Sequence, residues 1–153
     1  MASSNMISLK TSDGIVFEVE PALAKTMKTV QAIIDEADAD VSIIPIHNVY
    51  SHHMNKIIEY YNLSVAGKVK EFSVEKLDNE ELKAFVLAVH FLNMEDLFEF
   101  TTQAIADRIE KRSAGYVRKY FGIENDLTKE EYDAICEKNA WAFKGDDIEP
   151  EEA

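Results

Sequence analysis

Hydrophobic and polar positions alternate near the N-terminus, in the segment ISLKTSDGIVFEVE at residues 7–20. Ile15, Phe17 and Val19 recur at every second position against acidic side chains, which is the period of a β-strand. The turn-forming sequence Ser-Asp-Gly at residues 12–14 separates this run from the apolar residues before it. The segment therefore predicts a β-hairpin.

The apolar spacing becomes helical after Pro21, a residue type favoured in the first turn of a helix. One face of this helix carries Leu23, Met27, Val30, Ile34 and Ala37. VSIIPI at residues 41–46 predicts a third strand, at a sheet edge or strand end because Pro45 has no N–H to donate. Residues 51–62 again place apolar side chains on one helix face. The order β-β-α-β-α predicts an α/β (α+β) fold with helices packed on a small mixed sheet.

Residues 63–79 lack helical periodicity and predict a loose connection. A helix is predicted next, because Asp78 and Glu81 have the spacing of a capping box. One face of that helix carries Leu82, Phe85, Val89 and Leu92. The following helix, from Glu95 to about Glu110, is apolar on several faces. Such a helix is either buried in its own bundle or offers one face to a partner.

The segment VRKYFGIENDLTKEEYDAICEKNAWAF at residues 117–143 is dense in aromatic side chains. It predicts two short helices, the second capped by Thr128 with Glu131 three residues later. Isolated helices of this length are marginal in water. Their rings therefore need a further apolar surface, and a hydrophobic core shared with another polypeptide would supply it.

Composition narrows the choice of partner. The 153 residues are 46% hydrophobic and 10% aromatic, which suffices for one domain, or for one domain with a small appendage. The net charge of −13 argues against nucleic acid and anionic membranes, because both attract clustered Lys and Arg. We expect neither a signal peptide nor a membrane span, since no apolar run has the length. The charge leaves proteins as the expected partners. The single Cys136 permits no internal disulfide, which predicts a reducing, intracellular compartment.

Residues that could carry catalysis form no motif. His47, His52, His53 and His90 include no pair at the i, i+4 spacing of a zinc-binding helix. Cys136 has no thiol partner and no local nucleophile motif, so we expect a small buried hydrophobic residue. The five glycines are scattered and predict no phosphate-binding loop. We therefore expect no enzyme, no metal and no cofactor.

Several segments together resemble one known family. They are ISLKTSDGIVFEVE, IPIHNV at 44–49, LAVHFLNMEDLFEFTTQAIADRI at 87–109, and VRKYFGIENDLTKEE followed by NAWAF. In this order they cover nearly the whole chain and are similar to the S-phase kinase-associated protein 1 family, of which this chain is identified as a divergent member. The resemblance implies a non-catalytic adaptor of SCF (SKP–cullin–F-box) ubiquitin ligases, which links F-box substrate receptors to a cullin for protein ubiquitination. It also implies a BTB/POZ-type fold with added C-terminal helices.

The resemblance implies a division of the chain. A BTB/POZ-type N-terminal part would occupy residues 1–66, a connecting loop 67–79 and the remaining BTB helices 80–112. The C-terminal F-box-binding helices would follow at 113–143, and an acidic tail at 144–153.

The family's partner-binding positions carry over residue by residue. The F-box-binding or interface-supporting positions are Leu97, Phe98, Ile105, Phe121, Ile123, Asn125, Leu127 and Trp141. The cullin-binding positions are His90 and Phe91, where the family has an Asn-Tyr pair. At the position of the family's tyrosine, Phe91 has the aromatic ring but not the hydroxyl. At the position of the asparagine, His90 differs both in size and in its hydrogen-bond donors. The family's loop T-P-E-E before Val117 reads Ser-Ala-Gly-Tyr here, at residues 113–116.

The resemblance implies F-box proteins and a cullin N-terminal domain as partners, with no nucleic acid and no membrane. It further implies cytoplasmic and nuclear localisation, and a weak homodimer in the free protein. Two alternatives stay open. One is an F-box partner or chaperone that has lost cullin binding, and the other is a self-associating BTB scaffold. The C-terminal helices disfavour the scaffold, because simple BTB modules end before them.

Overall fold

The computed structural model describes residues 5–37 and 42–143. The predicted acidic tail at 144–153 and Val41, the first residue of the predicted third strand, lie outside these ranges. The chain divides into two compact units, residues 1–103 and 104–153, which are described in turn. Among the described helices, none is long and apolar enough to cross a membrane.

The first unit contains a three-stranded mixed sheet. Strand β1 (Ile7–Lys10) pairs antiparallel with β2 (Val16–Val19), so the predicted hairpin is confirmed. Gly14 in the connecting turn has a φ of +82°, a value that glycine adopts without steric cost. Strand β3 (Ile44–Pro45) pairs parallel with β1 and completes the order β2-β1-β3. Pro45 therefore lies on an edge strand, as predicted.

Two predicted elements have different bounds in the structure. The third strand is shorter than the predicted segment 41–46, and its pairing ends where the Ile46 N–H donates to the Lys10 carbonyl (2.8 Å). The helix predicted after Pro21 is two helices, α1 (Pro21–Thr26) and α2 (Lys28–Glu36). Met27 separates them with a non-helical φ of −89° and ψ of 89°. Its side chain is fully buried, so tertiary packing overrides the local helical period here.

Two longer helices complete the core of the first unit. Helix α3 (Ser51–Val65) packs against α4 (Asn79–Leu92). The predicted capping box of α4 is confirmed: Asp78 accepts the Glu81 N–H (2.8 Å), and Glu81 accepts the Asp78 N–H (2.9 Å). The predicted apolar face of α4 is buried throughout, at Leu82, Phe85, Val89 and Leu92. These side chains join a core that includes Leu9, Val30, Ile46, Met54 and Ile57.

The connection between α3 and α4 is anchored, not loose as its sequence predicts. It forms a 3-10 turn at Val69–Glu71 and then buries Phe72 and Val74. The Phe72 ring lies 5.1 Å from Tyr60 and 5.2 Å from Phe100, measured between ring centroids. Aromatic pairs at such distances stabilise beyond the area that they bury. The Phe72 ring thus fixes the connection to α3 and to the helix that carries Phe100.

The helix after α4 is α5 (Glu95–Ile109), which buries Leu97 and Thr101 on one face. The second unit then contains helix α6 (Ala114–Phe121), helix α7 (Lys129–Lys138) and a 3-10 turn at Ala140–Phe143. Helix α6 begins before Val117, inside the segment that the family resemblance treats as a loop.

Candidate protein-interaction surfaces

Helix α6 directs two rings inward and one outward. The Ser113 hydroxyl accepts the Tyr116 N–H (3.1 Å) and fixes the start of the helix. Tyr116 and Tyr120, four residues apart on one face, are buried, with centroids 6.3 Å apart. Phe121, at the end of the helix, is exposed. The buried pair therefore uses the inner face, and Phe121 is left to solvent.

A left-handed C-cap exposes the next apolar side chain. Gly122 ends α6 with a φ of +65°, and the Ile123 N–H donates back to the Arg118 carbonyl (2.8 Å). This is the hydrogen bond of a Schellman motif, which needs the conformational freedom of glycine. The Ile123 side chain is 57% exposed.

The segment before α7 is ordered by polar side chains while its apolar ones stay exposed. The Asn125 side-chain oxygen accepts the Leu127 N–H (3.2 Å). The Thr128 hydroxyl accepts the Glu131 N–H (3.2 Å), and the Glu131 carboxylate accepts the Thr128 N–H (2.9 Å), which confirms the predicted capping box. Asn125 thus has a local structural role beside its predicted role in F-box binding. Leu127 is exposed, as is every residue from 121 to 131.

Helix α7 contacts α6 through a cation and a ring. The Arg118 guanidinium lies 5.8 Å from the Tyr132 ring centre. The Tyr132 hydroxyl hydrogen-bonds with Cys136, and this bond together with burial raises the pKa of Tyr132. Cys136 is half-buried, not buried as predicted. Trp141, beyond the helix, is 76% exposed.

The second unit therefore leaves a set of large apolar side chains in solvent. We call Phe121, Ile123, Leu127, Ile135 and Trp141 the C-terminal apolar set. All except Ile135 are predicted F-box positions. Ile135 was not among the predicted positions, although its place three residues after Tyr132 on the apolar side of the helix was a usable signal.

The predicted F-box positions on α5 are less exposed. Leu97 is only 1% exposed, so in this structure it can support an interface from beneath but cannot touch a partner. Phe98 and Ile105 are half-buried. Phe100, on another face of α5, packs on Phe72 in the same unit. The apolar side chains on several faces of this helix are thus partly explained by packing within the chain.

The predicted cullin positions lie in the last turn of α4. His90 is exposed and Phe91 is half-buried. The Phe91 carbonyl accepts a hydrogen bond from the Thr29 hydroxyl of α2 (2.7 Å). The imidazole of His90 lies 5.2 Å from the Phe98 ring, with the two planes inclined by 38°. The His90 side chain, which departs from the family pattern, therefore contacts a residue of the predicted F-box set.

A neighbouring leucine on α4 extends the same face. Leu87 is 67% exposed, and its spacing of three and four residues from His90 and Phe91 places all three on one side of the helix. We call Leu87, His90 and Phe91 the α4 patch. Leu87 was not among the predicted positions, although its place outside the stripe that begins at Leu82 indicates an outward-facing side chain.

In the first unit, the polar side chains Asp13 and His53 take part in local hydrogen bonding and packing. The Asp13 carboxylate accepts hydrogen bonds from Ser51 and Thr11, which lower its pKa to about 2. Burial and the nearby His52 charge lower the pKa of His53 to about 4. Within residues 5–37 and 42–143, no group of three or more His, Cys, Asp or Glu side chains is placed to hold a metal ion. Large apolar side chains remain exposed beside the charged ones, and exposed apolar surface is typical of protein-interaction sites.

A small mixed sheet with packed helices, followed by helices with exposed apolar side chains, defines a protein-interaction module with an α/β, BTB-like fold. Two family models match the chain: the Skp1 family tetramerisation domain over residues 5–65 and the Skp1 family dimerisation domain over residues 95–142. The chain belongs to the Skp1 family, which confirms the resemblance stated from the sequence.

Relatives similar over nearly their whole length support this assignment. SKP1-like protein 14 of Arabidopsis thaliana is 36% identical over 149 residues, which cover 93% of this chain and 99% of the relative. SKP1-like protein 12 of the same plant is 38% identical over 152 residues, with the same coverage. SKP1-like protein 1 of Oryza sativa subsp. japonica is 36% identical over 166 residues, and this match covers 91% of this chain and 95% of the relative. Family membership supports a general role as an adaptor subunit of SCF ubiquitin ligases, not as an enzyme.

Proposed function

We propose that this chain is a non-catalytic SCF adaptor that binds an F-box substrate receptor with its C-terminal helices and a cullin N-terminal domain with the α4 patch. The observation that carries the proposal is the C-terminal apolar set, five large side chains left in solvent on a chain with a net charge of −13. Catalysis of ubiquitin transfer would belong to other subunits, because the adaptor acts by holding a substrate receptor on the cullin.

The F-box half of the proposal rests on apolar burial. Fully burying one large apolar side chain stabilises a complex by roughly 1.5–3 kcal/mol before the costs of association. Tyr116 and Tyr120 occupy the inner face of α6, so Phe121 and the rest of the apolar set remain for a partner. An amphipathic helical segment is the partner that such side chains suit, and an F-box supplies one according to the family resemblance.

The cullin half rests on the α4 patch. Leu87 is an exposed apolar side chain beside the two positions carried over from the family, and an exposed apolar side chain suits the centre of a protein interface. The backbone beneath the patch is held by the hydrogen bond from Thr29 to Phe91. A second candidate function, an F-box partner that has lost cullin binding, is favoured by the replacement of the family's Asn-Tyr pair with His90 and Phe91.

The proposal extends to the cell and to the free protein. We propose that the chain works in the cytoplasm and the nucleus, where it contacts neither nucleic acid nor membrane. In the absence of an F-box, weak homodimerisation would cover part of the C-terminal apolar set.

The proposal is tested by purifying the full chain with an F-box domain and then titrating the complex with a cullin N-terminal domain. Binding of both partners supports the adaptor. Binding of the F-box alone supports the second candidate function. Binding of neither, with the chain found as a stable oligomer, supports a self-associating scaffold. In the adaptor case, Leu87→Ser should weaken cullin binding and leave F-box binding unchanged, and Trp141→Ala should do the reverse.

A further inference from the structure

Strand β2 is an open edge of the three-stranded sheet, because the order β2-β1-β3 gives it β1 as its one neighbour. The Thr11 N–H donates to the Ile15 carbonyl (2.9 Å), which makes these two residues the first hydrogen-bonded pair of the hairpin. Hydrogen-bonded and non-hydrogen-bonded pairs alternate along antiparallel strands. Val16 and Glu18 therefore stand in non-hydrogen-bonded pairs with β1, and their N–H and C=O groups point to the open edge.

The backbone groups at this edge have no partner among the residues that the structure describes. Within residues 5–37 and 42–143, no hydrogen bond reaches the N–H or the C=O of Val16 or Glu18. Native sheets protect such edges with proline, lysine, a bulge or a covering element. The opposite edge strand, β3, contains Pro45, whereas residues 15–20 contain neither proline nor lysine. Strand β2 is thus able to pair with a further strand.

The side chains of β2 present a defined pattern to such a strand. Val16 is 46% exposed, and Ile15 beside it is 49% exposed. Glu18 is also exposed, and it lies on the same face as Val16 because it is two residues away in a strand. The half-buried Phe17 lies on the other face, paired with the buried Leu9. An added strand therefore meets an apolar side chain and a carboxylate on one face and an aromatic ring on the other.

We propose that β2 is a docking edge for an extended, basic segment of a partner protein, which joins the sheet as an antiparallel fourth strand. From its N-terminal end, the segment reads Lys or Arg, then an apolar residue, then Val or Ile. The cation lies opposite Glu18, the apolar residue opposite Phe17 and the β-branched residue opposite Val16. Backbone hydrogen bonds supply affinity in this mode of recognition, and alternate side chains supply specificity.

Charge favours a basic segment over a second copy of this chain. The Glu18 carboxylate accepts the Ser8 hydroxyl (2.5 Å) from the neighbouring strand, and the exposed Glu20 follows two residues later. Lys10 is paired with Val16, so the cation of the segment belongs opposite Glu18 and the apolar side chain opposite Val16. Two copies of the chain, each with a net charge of −13, would repel each other.

The experiment adds a synthetic peptide with blocked ends and the one-letter sequence KTKVIS to the full chain, and nuclear magnetic resonance follows amide hydrogen exchange residue by residue. We expect saturable binding and slower exchange at Val16 and Glu18, because both N–H groups gain an acceptor. The Phe17 amide, which lies in a hydrogen-bonded pair with β1, should change little. A peptide methylated on the backbone nitrogens of its second lysine and its isoleucine cannot donate to β2, so it should not bind.

Two variants test the side-chain assignments. Val16→Lys should weaken binding of the peptide about tenfold, because it removes an apolar pair and adds a like charge. Glu18→Gln should weaken binding about two- to fivefold, because it removes an opposite-charge pair. Val65→Lys is the matched control for charge, since Val65 is 71% exposed at the end of α3, outside the sheet, and it should leave peptide affinity unchanged.

Three results would overturn the proposal. They are the absence of saturable binding, peptide binding that leaves the amides of Val16 and Glu18 unprotected, and protection of these amides that grows with the concentration of the chain alone. The last result would assign the edge to a second copy of the chain. Neither an F-box nor a cullin takes part in the measurement, so each of these outcomes leaves the proposed adaptor function standing.

Discussion

The Asp13 carboxylate accepts hydrogen bonds from both the backbone N–H (2.9 Å) and the hydroxyl of Ser51, although 38 residues separate the two. Asp13 lies in the turn of the β-hairpin, and Ser51 is the first residue of α3. A carboxylate from the hairpin therefore sits at the positive end of a helix dipole. The Thr11 hydroxyl donates to the same carboxylate (2.6 Å). This cluster ties the sheet to α3 and lowers the pKa of Asp13 to about 2.

Asp13→Asn should lower the melting temperature at pH 7. The pKa of Asp13 is about 2 in the folded chain against 3.8 as a reference, so ionised Asp13 stabilises the fold above pH 3.8. That contribution is lost as the pH falls through about 2. The melting-temperature difference between wild type and variant should therefore shrink from pH 4 to pH 2, as followed by circular dichroism. In a Ser51→Ala background, Asp13→Asn should lower the melting temperature less. A melting-temperature difference that does not change with pH would contradict the role assigned to Asp13.

His53→Gln should flatten the fall of stability between pH 6.5 and pH 4. His53 is buried, its Nε2 has no hydrogen-bond partner among the residues that the structure describes, and its pKa is lowered to about 4 from 6.5. The unfolded chain therefore binds a proton over this window that the folded chain does not, and stability declines as the pH falls. Glutamine cannot titrate but can still accept the Tyr50 N–H, as His53 Nδ1 does (3.2 Å).

Chemical denaturation of wild type and His53→Gln at pH 8 and pH 5 checks this prediction. The comparison at pH 8 gives the cost of the substitution itself, because His53 is neutral in both states there. If both chains lose the same stability between the two pH values, His53 does not carry the effect.

Thr128→Ala should speed amide hydrogen exchange in α7 and weaken F-box binding. The threonine hydroxyl caps this helix, and loss of such a cap costs about 1 kcal/mol. Asp78→Ala removes the same kind of cap from α4 in the other unit. Mass spectrometry of exchanged amides should show faster exchange in α7 for Thr128→Ala and in α4 for Asp78→Ala. Equal effects of both variants on F-box affinity would contradict a specific role for α7.

Trp141→Ala should weaken F-box binding more than tenfold and change the melting temperature little. The indole is 76% exposed in the free chain, so the fold gains little from it, whereas a tryptophan buried at an interface is often a dominant contact. Val65→Ala is the matched control, since Val65 is 71% exposed at the end of α3. Calorimetric titration with an F-box domain measures both variants. A loss of melting temperature that accounts for the loss of affinity would show that Trp141 acts on folding.

Sequence patterns predicted the features that depend on residues close together in the chain. The capping boxes at Asp78 and Thr128 are examples, because both partners lie three residues apart. The buried stripe of α4 follows equally from helical spacing. The break at Met27 was not predictable, since its helix-compatible spacing gave way to tertiary packing. The buried ring of Phe72 also depends on contacts with α3 and α5 that no local pattern reveals.

The candidate surfaces, like the fold, could be predicted only in part from the sequence. Residues such as Ile123 and Trp141 could be named from the family resemblance, and their exposure in the structure agrees with a surface role. The contact between His90 and Phe98 depends on the left-handed Asn93 between α4 and α5, a geometry that spacing does not encode. The burial of Leu97 likewise follows from packing and not from its place in a motif.

The exposed C-terminal apolar set as an F-box-binding surface is the central claim, and Trp141 is a direct reporter of it because the chain has no other tryptophan. The measurement is the fluorescence emission of the full chain during titration with an F-box domain that lacks tryptophan. We predict a shift of the emission to shorter wavelength that saturates when the two proteins are equimolar, as the indole leaves water. Binding seen by calorimetry without any change in emission would contradict the claim.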